Sequence, residues 1–344
     1  MKFSLPMPKM IEETRNLREG NWLLLEIIIF ICVYIIAGMV LQGMLTLIPT
    51  LMALFSSPEF QQLLDRSADY ATVSDPSYIN GIIAELSSNP LIVLSSLFST
   101  VALIAGALVY CRAIEKRPFR TMGFRRGHAI REYLVGAAIG LVAMGICVVI
   151  CLASGASVID ASKGIGSVAP SAMAPTLGLI ALFFVGFIIQ GAGEEILLRG
   201  YLMVSLAARQ RLIVAAIVSA AAFSALHLLN PGALDSPLAL LNIMLFGVFA
   251  GVYMMKRGSI WGVAGIHAFW NFAQGVVFGI PVSGAFQMDS LVKISATEGS
   301  QFFTFLSGGN FGVEGGLVAT IVLAIALIIT LVVPARKDEV AVCE

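Results

Sequence analysis

The chain has 344 residues, of which 58% are hydrophobic and 12% charged, and its mean hydropathy is +0.92. Soluble globular domains carry roughly a quarter charged residues, so a water-soluble fold is excluded and the chain must reside in lipid. Lys plus Arg equal Asp plus Glu at 21 each, which leaves no excess charge for nucleic acid or a strongly anionic partner.

A membrane-spanning helix takes about 20 apolar residues. In chain order, a charged N-terminal segment over 1–21 precedes apolar runs at 22–45, 91–111, 133–154, 178–207, 212–229, 238–255, 259–280 and 315–334. The first run is too long for a cleaved signal sequence and is read as a retained helix. The expected fold is therefore all-α, a polytopic transmembrane bundle of about eight helices around an intramembrane polar cavity. The fourth run is overlong and contains charges, which hints at a break around Gly191–Gly200.

Alternate threading places Lys2, Lys9, Arg15, Arg18, the block from Arg112 to Arg131, Arg209, Arg211, Lys256, Arg257, Arg336 and Lys337 on one side. The other side receives Arg66, Lys163 and Lys293. By the positive-inside rule both termini are cytoplasmic, which requires an even number of helices. The outer segment 46–90 carries Asp65, Asp69 and Asp75, with a short interfacial helix expected over 58–70, and the polar, glycine-rich stretch 281–314 reads as a second outer loop. Glu26 is expected to snorkel to the inner interface, and His128 to be solvated. The scattered cysteines Cys32, Cys111, Cys147, Cys151 and Cys343 show neither zinc nor disulfide spacing, and Cys147 and Cys151 read as packing residues.

Ionisable groups in the hydrocarbon region cost at least about 2.5–3.5 kcal/mol each, so they face a cavity or one another. Here they concentrate in the fourth, fifth and seventh helices, as Gly-Ala-Gly-Glu-Glu-Ile-Leu-Leu-Arg-Gly at 191–200, Phe-Ser-Ala-Leu-His at 223–227 and His-Ala-Phe-Trp-Asn at 267–271. At about 1.5 Å per residue, Glu194 and His227 lie about 22–24 Å from the interface marked by Arg209 and Arg211, with Asn271 about 21 Å and His267 about 15 Å from that marked by Arg257. Glu195 and Arg199 are i and i+4, placed to form an ion pair. Glu194 points about 100° away and has no intrahelical cation, which suits it to act as a base. His267 and Asn271 share a helix face and could donate together to an oxyanion. Phe223 is spaced to pack His227, and Gly191 and Gly193 allow close helix approach or substrate access. Gln190 and Asn242 read as packing groups.

The ordered motifs Glu194-Glu195-x-x-x-Arg199, Phe223-x-x-x-His227 and His267-x-x-x-Asn271 resemble those of the CAAX prenyl protease and bacteriocin-processing family, also called Abi or CPBP. The resemblance covers about 175–275 and marks 175–280 as a catalytic core, between unassigned helices over 22–170 and a C-terminal part over 281–344 consisting of an outer loop, the last helix and a cytoplasmic tail. It implies a multi-pass protease of the bacterial plasma membrane that cuts membrane-associated peptides or proteins. Glu194 would activate a water that His227 helps to hold, His267 and Asn271 would form the oxyanion hole, and Glu195, Arg199 and Phe223 would support the site.

No cofactor is expected. The His-Glu-x-x-His arrangement of many zinc peptidases is missing, although Glu194, His227 and His267 would be the ligands of zinc or another divalent ion. The rival readings are a proton-coupled transporter using the same residues at the bilayer midplane and a non-catalytic immunity or scaffold protein of the same fold. The oligomeric state leaves no mark on the sequence.

Overall fold

Backbone polar groups find no partner in lipid and must be satisfied within helices. The computed structural model shows this over the residues it describes: 5–58, 60–61, 81, 85–125, 127–285 and 288–337. A short α1 (Lys9–Leu17) leads into α2 (Leu23–Ser56), α3 (Pro90–Ile114), α4 (Ala129–Ala153), α5 (Pro170–Arg209), α6 (Leu212–Leu226), α7 (Ala239–Arg257), α8 (Ile260–Phe272) and, after an intervening segment, α9 (Gln301–Ser307) and α10 (Leu317–Val332). Helices stand at all eight predicted places. Five of them, α2, α3, α4, α5 and α7, are long and apolar enough to cross a membrane, at 34, 25, 25, 40 and 19 residues. The helix expected over 58–70 lies largely outside the described residues, as do Arg66 and Cys343.

Capping chemistry fixes several helix starts. Asn89 accepts from the Leu91 N–H just before Pro90 opens α3, and Ser259 accepts from Trp261 at the start of α8. α8 is the axis of the bundle: nearly all of its residues are buried, and it packs against α4, α5 and α7. A helix buried on every face needs close neighbours. A Cβ at Gly136 or Gly140 of α4 would meet the α8 backbone at 2.0 Å from Gly262 O and 2.2 Å from Ile266 O. α2 is the opposite case, with Leu24, Ile28, Ile36, Met44 and Ile48 exposed as a lipid-facing surface.

The overlong α5 is not broken. It runs as α-helix to Glu195, turns π-helical over Ile196–Met203, and resumes as α-helix to Arg209. π-Turns frequently mark functional sites. The wider turn frees a carbonyl, and Ser219 of α6 donates to Leu198 O at 2.8 Å. A second π-turn, Ala273–Val277, extends α8 just beyond Asn271.

The basic end of the bundle is tied by charge. Arg15 donates to Ala207 O and Gln210 O, Arg18 pairs with Glu115, and Arg257 and Arg336 both reach the buried carboxylate of Glu132. Residues near both ends of the chain thus meet at one end of the bundle. Glu26 does not snorkel there. It is fully buried, bound by Asn21 Nδ2 at 2.8 Å and facing Arg18 at 3.7 Å, because neighbouring polar groups rather than water solvate it. His128 is exposed as expected, and Cys147 and Cys151 are buried free thiols.

At the opposite end, β1 (Ser157–Gly164) pairs antiparallel with β2 (Val292–Ala296), with Ile159 opposite Ile294 and a bulge before Gly164. The segment after α8 is therefore not a plain loop. It contributes β2, α9 and a Ser283 turn with φ +48° that folds back against the bundle.

Candidate active site in the polar cavity

Between α2, α3 and the α5–α8 group lies a cavity of 260 Å³ lined by Gln190, Glu194, Phe223, His227, His267 and Asn271, with Tyr34, Thr100, Asn242, Phe246, Trp270, Ser283 and Glu314 among its other walls. The expected catalytic residues from all three motif helices share this one space. The wall also takes residues from both flanking parts of the chain, since Tyr34 and Thr100 precede the core and Ser283 and Glu314 follow it.

The close approach of α5 and α8 sets the geometry. A Cβ at Gly191 would lie 2.7 Å from Ala268 N, and one at Gly193 2.9 Å from Thr100 O, so both glycines serve helix contact. Against this tight seam, Arg199 Nη1 donates to Glu195 Oε1 at 2.9 Å, and both side chains are fully buried. The same oxygen lies 2.8 Å from His267 Nδ1. The guanidinium also stacks on the Phe223 ring at 4.6 Å, which gives the charge an aromatic face in place of water.

Glu194 stands apart from this pair. Its Oε1 accepts from Gln190 Nε2 at 2.6 Å, and its buried Oε2 has no hydrogen-bond partner among the described residues. His267 Nε2 faces that oxygen at 3.6 Å, too far for a direct hydrogen bond. Gln190 Oε1 in turn accepts from Asn271 Nδ2 at 3.0 Å, so Gln190 is no inert packing group and links Glu194 to Asn271. The signal was present in the sequence, because Gln190 and Glu194 are i and i+4.

His227 caps the end of α6 with Nδ1 2.8 Å from Phe223 O and its ring edge-on to Phe223 at 4.7 Å. Asn242 binds Glu314 O and Gly316 O and accepts from Thr320, which is a packing role at the cavity wall. Glu314 had no counterpart in the motifs. Its carboxylate accepts from Trp270 Nε1 at 3.0 Å and from Ser283 N and Oγ at 2.9 and 2.8 Å, with Gln274 Nε2 at 3.4 Å. Among the described residues no three His, Cys, Asp or Glu side chains are grouped closely enough to hold a metal ion.

Residues 176–273, which carry all three motifs, match the family described as type II CAAX prenyl endopeptidase Rce1-like. The likeness to that family is confined to this segment. At the level of the family, the match is to an intramembrane protease of the CAAX type. The Rce1-like segment spans α5 to the end of α8, and with the apolar helices around it the chain is an integral membrane protein. No curated protein and no solved structure matches the chain.

Proposed function

We propose that the chain is an intramembrane endopeptidase that hydrolyses membrane-associated peptide or protein substrates with Glu194 as general base. The observation that carries this reading is the 3.6 Å separation between Glu194 Oε2 and His267 Nε2. Polar atoms at that distance are commonly bridged by water, and Glu194 Oε2 is left free to receive its proton.

With Nδ1–H given to Phe223 O, His227 turns Nε2 to the cavity as an acceptor that helps to orient the same water. The hydroxide attacks the peptide carbonyl, and the oxyanion is met by Asn271, whose amide keeps a second N–H beyond the one given to Gln190. With His267 Nδ1–H donated to Glu195, Nε2 becomes a second donor in the imidazolium, whose countercharge Glu195 and Glu194 supply at 2.8 and 3.6 Å. Glu194 then passes its proton to the leaving amine. In this reading the basic end, which holds Arg15 and Arg336, faces the cytoplasm, in keeping with the positive-inside rule.

The test is cleavage of a membrane-anchored peptide by purified protein, together with a comparison of membrane-proteome termini from cells expressing wild type and Glu194→Gln. Glu194→Gln should lower cleavage about 10²–10⁴-fold, the usual contribution of a general base, with unfolding temperature unchanged. Full activity of that variant removes Glu194 as the base, and zinc-reversible loss of wild-type activity on chelation replaces this mechanism with a metal-dependent one.

A further inference from the structure

Among the described residues, the two carboxylates that line the cavity, Glu194 and Glu314, have no Lys or Arg beside them in its wall. The buried guanidinium nearby, Arg199, is held by Glu195 and the Phe223 ring. Among the described residues Glu314 receives donors from neutral groups alone: Trp270, Gln274 and the Ser283 backbone and hydroxyl. These bonds clamp the Ser283 turn onto α8, which explains why an acceptor stands there. They supply no counter-cation.

The position of Glu314 relative to the reacting groups follows from α8. Its two donors on that helix, Trp270 and Gln274, come three and seven residues after His267, which places the carboxylate about 5–10 Å along the axis from the imidazole. An extended peptide advances about 3.2–3.4 Å per residue. A substrate held at His267 and running toward Glu314 therefore brings its second or third residue from the scissile bond beside that carboxylate.

We propose that the cavity selects a peptide carrying a Lys or Arg two or three residues from the scissile bond on the side toward Glu314, and disfavours a chain whose free C-terminal carboxylate falls at that place. This rests on the endopeptidase reading above and sets its substrate class. A carboxylate brought there would meet Glu314 with no Lys or Arg to bind it and with the His267 ring already held by Glu195 and Glu194, at the cost of desolvation and like-charge repulsion. A cationic side chain would complete an ion pair already half built.

The experiment uses three synthetic peptides sharing one hydrophobic anchor and one polar tail. The tail has Lys, its neutral counterpart Gln, or a terminating free carboxylate at the same position, and the position is scanned along the tail. Binding is measured with the full-length Glu194→Gln protein in detergent, and cleavage with wild type. The Lys form should bind about tenfold or more tighter than the Gln form, with the carboxylate form weakest, and wild type should show the same order in KM. In the Glu314→Gln protein the Lys-to-Gln ratio should collapse toward one. Equal binding of the three peptides, preference for the carboxylate, or no binding overturns the charge selection. Cleavage without the ranking overturns it too, yet leaves the peptidase reading standing, whereas the ranking without any cleavage does the reverse. Should Glu314→Gln fail to fold, the wild-type and Glu194→Gln rankings still decide.

Discussion

Oε1 of Glu195 lies 2.8 Å from Nδ1 of His267. The carboxylate that the sequence pairs with Arg199 therefore also fixes the rotation of an imidazole on another helix. Glu195→Gln keeps an oxygen acceptor but loses the charge, and cleavage should fall on the order of tenfold to a hundredfold, the size seen when a partner orienting an imidazole is lost. Glu195→Ala should in addition lower stability by about 3–5 kcal/mol, because Arg199 stays buried with its ionic partner gone. Thermal unfolding in detergent beside cleavage rates separates the two effects, and equal behaviour of the two variants would contradict the double role.

Gln190 joins Glu194 to Asn271 through bonds of 2.6 and 3.0 Å. Gln190→Leu preserves bulk and removes both bonds, so kcat should drop about tenfold, consistent with the loss of one or two hydrogen bonds to positioned polar groups, while KM changes little. Unchanged kcat would return Gln190 to the packing role first read for it.

Two glycine substitutions should have opposite outcomes. A Cβ at Gly191 would lie 2.7 Å from Ala268 N, next to His267, so Gly191→Ala must push α5 and α8 apart and cost about 1–3 kcal/mol with lost cleavage. Nothing lies within 4 Å of a Cβ at Gly145 of α4, and there the alanine should leave activity intact and add about 0.5–1 kcal/mol through better helix propensity. Paired melting curves check both signs.

Lys293, in β2 at the end of the bundle away from Arg15 and Arg18, donates from Nζ to Gly279 O at 2.6 Å. Burial, and then the charge of Lys163, push its ammonium below the usual lysine range, against a smaller opposing effect of Asp160. A base with a depressed folded pKa destabilises the fold while charged. That cost should be present in full below the folded pKa and fall away as pH rises through it toward the unfolded value near 10.4. Wild type should thus gain stability relative to Lys293→Met over that alkaline window, and melting temperatures that run parallel across it would contradict the linkage.

Much of the helical frame was legible because lipid leaves a backbone few options, so long apolar runs became α2 to α5 and α7. The ion pair of Glu195 with Arg199 and the packing of Phe223 on His227 were legible too, since both depend on spacing within one helix. The link from His267 to Glu195 was not, because it crosses between helices whose rotation depends on the Gly191 contact. The pairing of β1 with β2 joins segments far apart in the chain, and Glu314 sits in an irregular stretch without periodicity. Glu26 was misread because its solvation comes from Asn21 and Arg18, which only the folded N-terminal turn brings to it.

The π-turn over Ile196–Met203 makes α5 a helix with an extra residue in its winding. An uninterrupted α-helix would turn the half carrying Gln190, Glu194 and Glu195 by about 100° for each residue gained or lost, relative to the half that ends at Arg209 beside Arg15. Removal of one residue from this turn would leave every side chain named here in the chain, yet aim Glu194 at a different neighbour. The reading frame of the helix, as much as its composition, is what brings a carboxylate on α5 opposite an imidazole on α8.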